Sequence, residues 1–196
     1  MKKIKIVLAT QNKDKIREIK KILGNSFEIL TLTNPPDVIE NGKTLKANAI
    51  KKAKAFFRIS KITSIADDSG LEVAALKGRP GVYSARFAGK ECTYSDNNKK
   101  LLKLMGNVPP QKRKASFRTV VAIVFPSGKV KTAEGKINGY ITGKTIGKKG
   151  FGYDPVFYYP KSGKTFAQLT AAEKNRISHR GIAFKKAKDI LLKKSK

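Results

Sequence analysis

Cysteine and histidine are almost missing: Cys92 and His179 are single occurrences in 196 residues. One cysteine excludes an internal disulfide framework and a multi-cysteine zinc site, and one histidine excludes a poly-histidine metal centre. Acids are also scarce, with 14 Asp and Glu against 43 Lys and Arg, a formal charge of +29. No apolar run approaches the ~18 residues of a membrane span. The stretch after Met1-Lys2-Lys3 is interrupted by Lys5 and too short for a signal peptide. These absences lead to the expectation of a globular, reduced, cytoplasmic protein with no membrane partner. The length and a 40% hydrophobic share suit one domain over residues 1–196 with a sizeable core.

So basic a chain raises the question of nucleic acid, because cations at phosphates release counterions and drive binding. The distribution argues otherwise. Basic residues fall as scattered pairs, the longest run is Lys112-Arg113-Lys114, and lysines number 35 against 8 arginines. Arginine is the better residue for bidentate phosphate or base recognition. Lysine-biased composition on a solvated surface is the preferred account, with no specific nucleic-acid partner.

Apolar spacing predicts a buried strand over 4–9 and a helix capped by Asn12, with Ile16, Ile19, Ile22 and Leu23 on one face and Gly24 closing it. A short strand follows over 27–32, then a loop after Asn34-Pro35-Pro36. Leu45, Ala49, Ala53 and Phe56 mark a second amphipathic helix from Lys43, and 62–66 a strand that runs into an Asp67-Asp68-Ser69-Gly70 loop. A third helix is expected over 95–105. Alternating Phe117, Thr119, Val121, Ile123 and Phe125 give a long strand, turned by Pro126-Ser127-Gly128 into a partner over 129–137. The last helix, with Ser178 as its cap, buries Ile182, Ala183, the stem of Lys186, Ala187, Ile190 and Leu191. Helices at both ends with strands between predict an α/β domain around a mixed, twisted sheet.

Four segments carry residue types suited to chemistry. Thr10-Gln11-Asn12-Lys13-Asp14-Lys15 lies between a strand end and a helix start, where free N–H groups and lysines attract an anion such as phosphate. It lacks the glycines and the Gly-Lys-Ser/Thr ending of a P-loop. Asp67 and Asp68 follow an apolar strand, where carboxylates can hold Mg²⁺ and orient water. Neighbouring strand residues face opposite ways, so at most one of the two points at a ligand. In Gly150-Phe151-Gly152-Tyr153-Asp154-Pro155 the glycines expose a ring on which a base can stack. In 173–180, Lys174 suits a phosphate, while His179 and Arg180 suit a base carbonyl.

In this order and spacing the segments resemble the inosine triphosphate pyrophosphatase family, the XTP/dITP diphosphatases. The matching blocks are A-T-Q-N-K-D-K-I-R-E (9–18), A-D-D-S-G-L (66–71), P-G-V-Y-S-A-R (80–86), G-F-G-Y-D-P (150–155) and E-K-N-R-I-S-H-R (173–180). The resemblance implies an elongated, two-lobed α/β fold around a long mixed sheet, with a cleft between lobes, and usually a homodimer. It also implies a Mg²⁺-dependent enzyme hydrolysing ITP, dITP and XTP to the monophosphate and pyrophosphate, so clearing damaged nucleotides from the precursor pool. By position, Thr10, Gln11, Asn12, Lys13, Asp14 and Lys15 would cradle the triphosphate, Asp68 would be general base and metal ligand, and Ser69 would contact substrate. Phe151, Gly152, Tyr153 and Asp154 would clasp base and ribose, and Lys174, His179 and Arg180 would read the purine and phosphates. Glu40 remains as a second metal ligand, but the family's next acid, just before Asn-Ala, is Ala47 here. Two rival readings are a nucleic-acid-binding module without activity and a related pyrophosphatase acting on pyrimidine or modified nucleotides.

Overall fold

Ile6, Val7 and Leu8 are buried in succession, without alternation, as in a strand covered on both faces. In the computed structural model, which describes residues 3–193, they form β1 (Ile4–Leu8). It runs parallel to β2 (Phe27–Leu30) on one side and β3 (Ser64–Val73) on the other. Parallel neighbours need a crossover, supplied by α1 (Lys13–Leu23) and α2 (Leu45–Ser60). After α3 (Tyr94–Leu104) come the long strands β4 (Lys114–Val124) and β5 (Val130–Ile141), joined by a turn too short for anything but an antiparallel pair. Two short antiparallel additions, β6 (Phe157–Tyr159) and β7 (Lys164–Thr165), complete a mixed seven-stranded sheet of order β2-β1-β3-β4-β5-β6-β7. Two helices follow, α4 (Ala171–Ile177) and α5 (His179–Lys193).

The chain forms two compact units, and β3, β4 and β5 each contribute residues to both. The first comprises residues through Asp68, Thr119–Gly135 and the chain from His179 onward. Its core joins Ile6, Leu8, Ile19, Leu23, Phe27, Ile65, Val121, Ile123, Phe184 and Leu191. The second comprises Ser69–Arg118 and Lys136–Ser178, with a core of Leu71, Val73, Leu101, Met105, Phe117, Phe157 and Phe166. Phe157 lies 4.6 Å from Phe117 and 4.9 Å from Phe166 between ring centroids, so three aromatics fill that core's centre.

Three expectations are corrected. The segment Asp67-Asp68-Ser69-Gly70 is not a loop, because β3 continues through it to Val73. Gly70 makes this possible: a Cβ there would lie 2.6 Å from the Gly81 carbonyl oxygen, so only glycine lets the strand pass that backbone. The strand expected over 129–137 extends to Ile141, because Ile137 and Ile141 continue the buried alternation past Gly139. In α5 the inward position belongs to Phe184, whereas Lys186 is exposed and its Nζ donates to the Glu134 carbonyl at 2.9 Å.

Candidate active site

In the first unit, β1 hands over to α1 through a turn made by short polar side chains. The Asn12 N–H donates to Thr10 Oγ1 at 3.2 Å, and Asn12 Oδ1 accepts from the N–H groups of Asp14 and Lys15 at 3.0 and 3.1 Å. Asn12 is therefore the helix cap that its residue type suggests. Gln11 and Lys13 are exposed, and Asp14 pairs locally with Arg17.

Lys15 faces inward. Its Nζ lies 3.1 Å from Asp67 Oδ2, and Asp67 is wholly buried. Arg180, 3% exposed at the start of α5, places Nη2 3.5 Å from the same oxygen and donates from Nη1 to Glu18 Oε2 at 2.8 Å. Lys15 and Glu18 lie about one turn apart on α1, so one helix face supplies both a cation and an anion to this network. Burial acts to raise the Asp67 carboxyl, but the Lys15 and Arg180 cations outweigh it and hold the group well below the usual carboxylate range. The α5 start is seated by Gly135, where a Cβ would come within 2.1 Å of the His179 carbonyl oxygen.

Asp68, the next residue of β3, has different hydrogen-bond partners, although the Lys15 and Lys52 charges reach both carboxyls. Asn48 Nδ2 donates to Asp68 Oδ2 at 3.1 Å, while Asn48 Oδ1 accepts from the Gly42 N–H at 2.7 Å. Lys52, one turn further along α2, sets its Nζ 3.1 Å from Glu40 Oε2 and 4.0 Å from Asp68 Oδ1. Burial pushes the Asp68 carboxyl above its ordinary value despite the opposing Lys52 and Lys15 charges, leaving it the more basic of the two aspartates. Among the described residues no group of three or more His, Cys, Asp and Glu is placed to cage a metal. What the site offers is two carboxylates, Glu40 and Asp68, already turned on one ammonium. Such a hard-oxygen pair fits a Mg²⁺ ion that takes its remaining ligands from water and substrate phosphates. Ala47 is exposed in the first turn of α2 and adds no oxygen.

In the second unit, the Leu71 N–H donates to Ser84 Oγ at 2.9 Å, and that hydroxyl donates to the Gly81 carbonyl. The Gly81–Arg86 turn is thus latched onto β3 just beyond Ser69. The Tyr153 hydroxyl donates to the Ser84 carbonyl at 2.9 Å, and burial raises its pKa. Asp154 is buried; its Oδ2 accepts from the Phe151 N–H at 2.8 Å and pairs with Lys174 Nζ. The same ammonium stands 4.7 Å from the Phe151 ring centroid. Phe151 and Gly152 remain half-exposed, whereas Tyr153 and Asp154 point into the protein.

The structure thus joins Lys15 and Arg180 on Asp67, sets Glu40 beside Asp68, and groups Phe151, Asp154 and Lys174. Glu18, Asn48, Lys52 and Ser84 were not singled out in the sequence. The spacings 15/18 and 48/52 are the signals that would have shown shared helix faces.

Residues 6–190 match the Ham1 family. A protein of Desulforamulus reducens named dITP/XTP pyrophosphatase is 49% identical, covering 96% of each chain. A Geobacter sulfurreducens protein of the same name is 46% identical over 95% of this chain and 96% of its own. The Staphylococcus aureus Ham1 protein superposes with a TM-score of 0.87 at 40% identity, covering 97% of this chain and 99% of that one. A Coxiella burnetii HAM1 protein gives 0.88 at 37%, with the same coverage. A match over residues 6–190 and relatives 46–49% identical over nearly the whole chain show that the protein belongs to the Ham1 family.

Proposed function

We propose that this protein hydrolyses non-standard purine nucleoside triphosphates, dITP, XTP and with them ITP, to the monophosphate and pyrophosphate; its relatives are named dITP/XTP pyrophosphatase. The observation that carries the chemistry is the separation of the two aspartates. Asp67 is neutralised by Lys15 and Arg180, while Asp68 stays basic beside Glu40 and Lys52.

In this reading Asp68 accepts the proton of the water that attacks the α-phosphorus, and Asn48 holds that carboxylate in one orientation. Glu40 and Asp68 would hold Mg²⁺, which when bound supplies Lewis-acid charge to the phosphate oxygens. The Thr10 to Lys15 turn, its Asp14 and Lys15 N–H groups taken up by the Asn12 cap, offers lysine ammonium to the polyphosphate, and Lys52 adds charge beside Asp68. Ser69 follows Asp68 along β3 and contacts the nucleotide. Phe151 stacks on the purine, Gly152 admits it closely, and Tyr153 and Asp154 keep the clasp in shape. Lys174, His179 and Arg180 supply donors to phosphate and to the C6 carbonyl. Arg180 does so from a guanidinium whose plane Glu18 and Asp67 fix beforehand. A cytoplasmic homodimer is part of the proposal; no helix of the described residues is long and apolar enough to cross a membrane.

The test is pyrophosphate release from ITP, dITP, XTP, ATP, GTP, UTP and dTTP with Mg²⁺, then with excess chelator. Inosine and xanthine nucleotides should yield one pyrophosphate per monophosphate, far faster than ATP, and chelator should abolish the reaction. Orthophosphate as the first product, or preference for a pyrimidine, would overturn the proposal.

A further inference from the structure

The Phe151 clasp rests on one face of α3. Tyr94 and Asn98 lie one helical turn apart and therefore share that face. The Tyr94 ring meets Phe151 with centroids 5.8 Å apart, tilted by 40°. Asn98 Nδ2 donates to the Gly152 carbonyl at 2.9 Å, 54 residues away in sequence. Gly150 and Gly152 both have left-handed backbone, φ +74° and +61°, so the ring sits between two permissive hinges. Hydrogen bonds to the loop must fix their conformation. Asp154 does so from within, through the Phe151 N–H, and Asn98 from outside, through Gly152.

The other half of the Asn98 amide sharpens this. Asn98 is 5% exposed, and its Oδ1 has no hydrogen-bond partner among the described residues. A buried, unsatisfied acceptor is costly, and an apolar side chain of the same size would remove that cost. The amide is thus kept at a local cost, and its visible contribution is the single bond to the clasp. Its neighbour Asn97 differs. It uses both ends of its amide, donating to the Ala85 carbonyl and accepting from the Ala88 N–H, so it braces the end of the Gly81–Arg86 turn.

We propose that Asn98 is a positioning residue for base recognition: through Gly152 it sets the plane of the Phe151 ring, so that it governs affinity for the purine and not the hydrolytic step. The proposal rests on the assignment of Phe151 as the stacking ring. Losing one hydrogen bond and leaving the Gly152 carbonyl unpaired is worth about tenfold in binding.

The test measures kcat and KM for ITP, together with inhibition by inorganic tripolyphosphate, which carries the charge but no base. Asn98→Ala should raise the KM for ITP about tenfold, leave kcat within about threefold, and leave tripolyphosphate inhibition unchanged. Asn98→Asp keeps the shape but turns an acceptor on the Gly152 carbonyl, and should be worse in KM alone. Asn97→Ala should lower the denaturation midpoint without separating base from phosphate. Tripolyphosphate inhibition weakening in step with KM, or the same split in Asn97→Ala, would show general loosening and overturn the proposal. An unchanged KM in Asn98→Ala beside a raised one in Phe151→Ala would overturn it alone. An unchanged KM in Phe151→Ala would overturn the stacking assignment and the proposal together.

Discussion

Asp67 and Asp68 are neighbours in sequence and differ in their direct partners, because a strand turns successive side chains different ways. Asp67 is enclosed with two cations, so its removal strands buried charge. Asp67→Asn should destabilise the fold by about 3 kcal/mol or more, the usual consequence of breaking a buried pair from one side. Asp68 carries a carboxyl that burial disfavours as an anion, so Asp68→Asn should leave stability equal or higher. That variant should nevertheless lose at least ~100-fold in kcat, the scale of general-base effects. Urea midpoints and ITP turnover on the two proteins check both statements. Equal loss of stability in the two variants would contradict the assignment. The alternation itself was legible in the sequence, since it needs only the strand period. That the inward partners are Lys15, Glu18 and Arg180 was not, because the Glu18–Arg180 pair spans 162 residues and no local pattern encodes it.

At the scale of elements, legibility followed length and period. The amphipathic helices and the alternating β4 announce themselves through several turns or repeats, whereas β6 and β7, three and two residues long, are too short to carry a period. The extension of β3 is hidden for a related reason: polar Asp-Asp-Ser-Gly has the composition of a turn, and the Gly70–Gly81 approach that lets the strand continue is not local. Helix caps are also legible in residue type and spacing. Thr93 and Asp96 form a reciprocal box at α3, as Thr170 and Glu173 do at α4. Hydrogen bonds from the Thr93 hydroxyl and N–H hold the Asp96 carboxyl below its ordinary value. A depressed acid contributes stability that is present in full above the unfolded pKa and is lost as pH falls through the folded one. Amide protection factors in the first turn of α3 should therefore fall only on acidification below the ordinary aspartate range. In Asp96→Asn they should be low already at neutral pH, with that acid step removed. A wild-type loss of protection centred near neutral pH would contradict the capping account.

At the scale of the whole molecule, the exposed charge is mostly lysine. Of the eight arginines, Arg17, Arg58, Arg79 and Arg176 are exposed, while three others make bonds within the fold. Arg180 holds Glu18 and Asp67, Arg118 pairs with Glu72, and Arg113 donates to the carbonyls of Met105, Val108 and Thr142. Lysine covers the surface, with Lys15, Lys52 and Lys174 as inward exceptions at the candidate site. A surface built that way attracts polyanions through diffuse charge without fixing a register, because register and base reading need directed donors. Duplex DNA should therefore bind at low salt without sequence preference, and its affinity should fall steeply and linearly in log–log terms as salt rises. ITP turnover at saturating substrate should change little over the same range, because its charge contacts are partly buried and screened less than exposed ones. Duplex should also fail to compete with ITP at moderate salt. The decisive comparison is a salt titration from 50 to 200 mM that follows duplex affinity and kcat on one preparation, a span expected to reduce the first by roughly 10³-fold if about six phosphates are neutralised. Duplex binding that resists salt or discriminates between sequences would mean that the lysine surface is a dedicated nucleic-acid interface.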